Sequence, residues 1–149
     1  MRFLHTMLRV KNLEDTLNFF CEILQFKEVR RHDSEQGRFT LVFLCASRDE
    51  YLPGKTPLLE ITYNWPDENN QVENLDSGRN FGHVAYAVEN IYEICQRVQD
   101  FGVEINRPPR DGRMAFFKTP DGISIELLQE GKPLEPIEPW TSMKNSGSW

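Results

Sequence analysis

Apolar residues recur first with period two and then with helical spacing, and this succession occurs twice along the chain. Residues 3–10 (FLHTMLRV) alternate, with Leu4, Leu8 and Val10 on one face and Phe3, His5, Met7 and Arg9 on the other, which predicts a strand. Asn12 then suits an N-cap with Asp15 three residues on, and Leu13, Leu17, Phe20, Ile23 and Leu24 predict a helix over 13–24. Residues 26–32, 39–45 and 58–64 predict three strands, separated by a turn at Gly37 and a loop containing Pro53, Gly54 and Pro57. After a polar linker, 66–79, the order repeats. Residues 80–88 predict a strand, and Ile91, Ile94, Cys95 and Val98 a helix over 91–101 with Gly102 at its C′ position. Strands follow at 103–106, 113–119 and 123–129. Residues 130–149 contain three prolines and no sustained period, and read as irregular chain docked through Trp140. The order of elements, rather than any close sequence repeat, suggests two equivalent modules.

Composition narrows the class. The chain has 149 residues, 39% of them hydrophobic, so it can bury a core without staples. It carries a net charge of −6, which argues against a nucleic-acid partner. No apolar stretch approaches the roughly 20 residues of a membrane span. Arg2, His5 and Arg9 interrupt what would have to be the apolar part of a signal peptide, so a cytoplasmic location is expected. Cys21, Cys45 and Cys95 are widely spaced with no CxxC, and read as reduced, mostly buried thiols.

Polar residues inside the apolar segments carry the candidate chemistry. Each opening strand has a histidine, His5 or His83, and each closing strand a glutamate, Glu60 in LLEIT or Glu126 in SIELL. Strand alternation turns Glu60 away from Leu59, Ile61 and Tyr63, and Glu126 away from Ile123, Ile125 and Leu127. Both carboxylates therefore either reach solvent or line an inner cavity. Two nitrogen and two oxygen donors together suit a divalent metal that keeps positions open for water or substrate. His32, in the charged run RRHD, reads as surface. Arg9 follows His5 by four residues, Asn64 follows Glu60 by four, and Arg79 precedes His83 by four. Two guanidiniums and an amide near a metal suit an elongated anion with carboxylate ends.

The segments HTMLRV from His5, LEITYNW from Leu59, FGHV from Phe81 and PDGISIEL from Pro120 together resemble glyoxalase I (lactoylglutathione lyase), of the vicinal oxygen chelate superfamily. The resemblance runs from residue 1 to about 129. It implies an α+β fold of paired βαβββ modules forming a cupped mixed sheet, the glyoxalase/bleomycin-resistance/dioxygenase-like arrangement. Residues 1–149 would be one domain: module one 1–65, linker 66–79, module two 80–129 and a tail 130–149. It further implies a homodimer with active sites at the interface and one divalent metal per site, held by His5, Glu60, His83 and Glu126. Glu126 matches the principal catalytic base, Glu60 a ligand with a second proton-transfer role, and Arg9, Asn64 and Arg79 the positions that hold glutathione. The module without a long N-terminal arm resembles nickel- or cobalt-activated enzymes more than zinc-activated ones. The implied reaction isomerises the methylglyoxal–glutathione hemithioacetal to S-lactoylglutathione, with glutathione as co-substrate. The alternatives are a thioester epimerase of the same superfamily and a non-catalytic ligand-binding paralogue.

Overall fold

The opening period-two segment forms strand β1 (His5–Val10), and Asn12 starts the helix that follows it. In the computed structural model, which describes every residue except Ser77 and Arg79, contacts group the chain into two units, Met1–Asp76 and Ser77–Trp149. Each is a βαβββ module with its own four-stranded mixed sheet.

Module one continues with α1 (Leu13–Leu17), β2 (Lys27–Ser34), β3 (Phe39–Cys45) and β4 (Leu58–Asn64). The Asn12 side chain accepts the Asp15 N–H at 3.2 Å and donates to the Asp15 carboxylate at 2.7 Å, closing the first turn. The predicted helix over 13–24 changes winding at Asn18 and runs as a π-helical turn through Ile23. Adjacent Phe19 and Phe20 are both buried, with Ile23 and Leu24. The wider turn gathers these four side chains into a narrower arc facing the core than α-helical winding does. Phe20 meets Phe19 and Phe26 edge-on, at 5.1 and 5.5 Å.

The strand order is β1-β4-β3-β2, with β1 parallel to β4 and the other pairs antiparallel. Leu8, Ile61 and Val42 stand opposite one another across the ladders, all buried, and define the core face. The other face carries the row Met7, Glu60, Phe43 and Arg30.

Module two repeats the plan with β5 (His83–Val88), α2 (Ile91–Asp100), β6 (Ile105–Arg107), β7 (Met114–Lys118) and β8 (Ser124–Gln129), in the order β5-β8-β7-β6. Asn90 caps α2 by accepting the N–H groups of Tyr92 and Glu93, at 3.2 and 3.3 Å. Gly102 ends it at φ +80°, as the C′ position requires. The Val103 N–H is spent on the Val98 carbonyl, so β6 begins at Ile105 rather than at 103. The row on the open face here is Ala85, Glu126, Phe116 and Arg107.

The tail has no regular helix or strand, yet it is tied to module two. Trp140 is 2% exposed and stacks on Tyr92 at 6.3 Å, and the Tyr92 hydroxyl donates to the Glu135 carbonyl at 3.0 Å. Leu134 passes so close to Gly112 (φ +64°) that a Cβ there would overlap its carbonyl. No helix of the described residues is long and apolar enough to cross a membrane.

Replacing Trp140 with Ala removes the largest side chain by which the tail is buried. The expected loss is about 3 kcal/mol of unfolding free energy, measured by urea denaturation; a loss below about 1 kcal/mol would mean the tail is not part of the cooperative unit.

Candidate active site

The two histidines are the first residues of β1 and β5, and the two glutamates lie inside β4 and β8. Side chains on a parallel pair share a face only at matching register, and a slip of one residue would separate them. In module one Glu60 stands opposite Met7, two residues beyond His5; in module two Glu126 stands opposite Ala85, two residues beyond His83. The same offset gives nearly the same contact. His5 Nε2 lies 3.1 Å from Glu60 Oε2, and His83 Nε2 lies 3.0 Å from Glu126 Oε2. The imidazoles are 42% and 44% exposed and the carboxylates only 13% and 11%. Both glutamates are thus largely sheltered from solvent.

A phenylalanine completes each constellation. Phe43 pairs with Glu60 across β3 and β4, and Phe116 with Glu126 across β7 and β8. Each ring meets its histidine edge-on, at 5.9 Å for His5 and 5.4 Å for His83. These rings limit how far the imidazoles can swing. The sequence reading missed both, because their role depends on strand pairing and not on residue type; FTLVFLC and MAFFK offer several equivalent aromatics until register is known.

The modules differ beside the carboxylate. Thr62, two residues beyond Glu60, donates its hydroxyl to Glu60 Oε1 at 3.3 Å, whereas the corresponding residue in β8 is Leu128.

The donors match what a divalent cation takes, imidazole nitrogen and carboxylate oxygen. The spacing matches as well. Two ligands about 2.1 Å from one ion in neighbouring octahedral positions stand about 3.0 Å apart. Among the described residues no group of three or more His, Cys, Asp or Glu is gathered; each module brings together one imidazole and one carboxylate.

Arg9 and Asn64 are brought together by an unforeseen partner. Asn64 Nδ2 donates to Glu73 Oε1 at 2.8 Å, and Arg9 Nε lies 3.6 Å from the same oxygen. A carboxylate of the linker thus sits between the two side chains that the sequence assigns to an anionic ligand. Arg79, the third such residue, lies outside the described residues. His32 is exposed, as the sequence suggests.

The profile of the Glyoxalase/Bleomycin resistance protein/Dioxygenase superfamily matches residues 2–127. The chain belongs to this superfamily. It is 42% identical over 135 residues to a lactoylglutathione lyase of Neisseria meningitidis serogroup A, covering 87% of this chain and 91% of the relative. It is 36% identical over 134 residues to a probable lactoylglutathione lyase of Synechocystis, covering 87% and 95%. Among solved structures, the trypanothione-dependent glyoxalase I of Leishmania major matches with a TM-score of 0.73 and 36% identity over 87% of each chain. Within the superfamily chain, both His–Glu pairs fall inside the matched residues and the tail lies beyond them.

The thiols stand apart from this chemistry. All three cysteines are unbridged. Burial pushes the Cys95 thiol up to about 12 and raises Cys45. Cys21, half-buried, is raised by burial and by Glu28 and Glu22, and lines an open groove of about 780 Å³ with Leu13, Phe26 and Arg31 that contains none of the site residues above. A raised pKa lowers the thiolate fraction at a given pH and slows alkylation. Iodoacetamide at pH 8 is expected to label Cys21 first and to leave Cys95 unmodified in the folded protein, as read by peptide mass spectrometry; early labelling of Cys95 would contradict its burial.

Proposed function

We propose that the protein is a lactoylglutathione lyase, converting the methylglyoxal–glutathione hemithioacetal to S-lactoylglutathione. The observation that carries this reading is the pair of His–Glu contacts at identical register in a chain whose relatives bear that name. His5, Glu60, His83 and Glu126 are the residues that would hold a divalent cation, and the chemistry it supplies when bound is Lewis-acid stabilisation of negative charge on substrate oxygens. Nickel or cobalt is favoured over zinc. A homodimer would bring a pair from one subunit to a pair from its partner. Exposed Phe3, Leu4 and Met7, at 61%, 55% and 40%, support an apolar interface there. Three unbridged cysteines suit the reducing cytoplasm.

Glu126 acts as the base. It removes the proton from the carbon bearing sulfur and oxygen, and electrons move into an enediolate of the substrate. The same carboxyl group returns the proton to the neighbouring carbon, and the hydroxyl proton of the first carbon passes to the neighbouring oxygen, leaving a thioester and a hydroxyl group. The carbon bearing sulfur is oxidised and its neighbour reduced by the same two electrons, so no outside oxidant or reductant is required. The difference between Thr62 and Leu128 supports this assignment. The Thr62 hydroxyl donates a hydrogen bond to one oxygen of Glu60, while the β8 carboxylate has no hydroxyl at the equivalent position. Arg9, Asn64 and Arg79 would bind the carboxylate ends of glutathione, with Glu73 displaced from Arg9 and Asn64 as the ligand arrives.

The direct test strips metal from the purified protein, adds back nickel, cobalt or zinc, and follows thioester formation from methylglyoxal and glutathione. Turnover should return; silence with all three metals would sink the reading. Glu126→Gln should lower kcat by about 10²–10⁴-fold with an unchanged circular dichroism spectrum, and full activity would remove Glu126 as base. Glu73→Gln should lower KM for the hemithioacetal several-fold at nearly constant kcat. A raised KM would show that Glu73 assists binding instead of competing with it.

A further inference from the structure

The two open-face rows carry the same residue types from closing strand to edge, Glu60, Phe43 and Arg30 in one module and Glu126, Phe116 and Arg107 in the other. They differ in what covers the phenylalanine. In module one the Arg30 guanidinium lies over Phe43, 3.8 Å from the ring centroid. In module two Arg107 is turned away. Its guanidinium donates to the Asp111 carboxylate at 2.9 Å and to the Met114 carbonyl. The indole of Trp149 packs on Phe116 instead, with ring centroids 6.1 Å apart and planes tilted by 31°.

The tail segment that brings this indole is fastened close by. The Ser146 N–H donates to the Asn106 carbonyl at 2.9 Å, and Asn106 Nδ2 returns a bond to the Ser146 carbonyl at 3.2 Å. Asn106 is itself 7% exposed. Arg110 holds the Met143 carbonyl at 2.9 Å. Trp149 is therefore set on the ring that meets His83 edge-on at 5.4 Å, and it keeps 44% of its surface open. An uncharged aromatic surface stands beside the His83–Glu126 pair where the other module has a cation. It lies outside residues 2–127 and so outside the part matched to the superfamily.

We propose that Trp149 is a specificity-determining residue, whose indole forms an apolar wall beside His83 and Glu126 that receives the side group of the 2-oxoaldehyde and favours aromatic or bulky apolar groups over methyl. The inference rests on the lyase reading for its substrate class. The contact surface of an indole lies in the plane that an aryl group would stack on, whereas a methyl group covers little of it.

Two measurements on the full-length, metal-reconstituted protein test it. In the first, kcat/KM is compared for the hemithioacetals of phenylglyoxal and methylglyoxal. Trp149→Ala should lower the phenylglyoxal value about tenfold more than the methylglyoxal value, and Trp149→Phe should recover most of the difference; an unchanged ratio in Trp149→Ala overturns the inference. The second needs no turnover. S-benzylglutathione should alter tryptophan emission in the wild type and much less in Trp149→Phe, which keeps Trp65 and Trp140. A wild-type response without turnover would leave the wall in place and remove the lyase reading. An equal response in the two proteins, or none in either, overturns the wall.

Discussion

Two carboxylates on the inner strands of small sheets are the constraint around which each module is arranged. A glutamate sheltered to about a tenth of its side-chain surface, as Glu60 and Glu126 are, is costly unless a donor or a cation answers it. The answer comes from the opening strand. β1 lies beside β4 and parallel to it, and a parallel neighbour requires a crossover, which here carries the helix. The register must also hold to the residue. β1 and β5 consequently sit at the edges of their sheets next to the closing strands, and the buried alternation of Leu8 with Ile61, or of Ile125 and Leu127, serves as the ruler that fixes the polar face. Core packing and site geometry are two readings of one ladder.

Much of this was legible in the residues because both ingredients leave strong local signals. β3 and β4 were bounded to the residue, since FTLVFLC and LLEITYN are apolar runs between clear breakers. The four His and Glu candidates stood out because charge inside an apolar strand is rare. Other features depend on tertiary context. The π-helical turn arises from packing two adjacent phenylalanines, and helical spacing alone does not announce it. The Glu73 contact joins a linker residue to two strands, with no period to betray it. Phe43, Phe116 and Trp149 acquire their places only when the pairing of strands and the course of an irregular tail are known.

The modules share a frame and differ in the chemistry written on it. Where one has Thr62 beside its carboxylate the other has Leu128, and where one lays a guanidinium on its phenylalanine the other lays an indole. Register keeps the His–Glu geometry constant while these neighbours are exchanged one side chain at a time. A duplicated module can in this way produce one half suited to anions and one suited to apolar groups without moving a strand.

The Glu73 contact has a consequence for which small molecules can reach Arg9 and Asn64. Glu73 follows β4 by only nine residues, so it is a tethered ion with a local concentration in the millimolar range. A free monocarboxylate present at micromolar levels is outcompeted by a group that never leaves. A ligand that gains contacts elsewhere on the sheet as well can displace it. On the proposed reading the linker thereby sets a threshold that a micromolar monocarboxylate does not cross and a larger, multiply anchored ligand does.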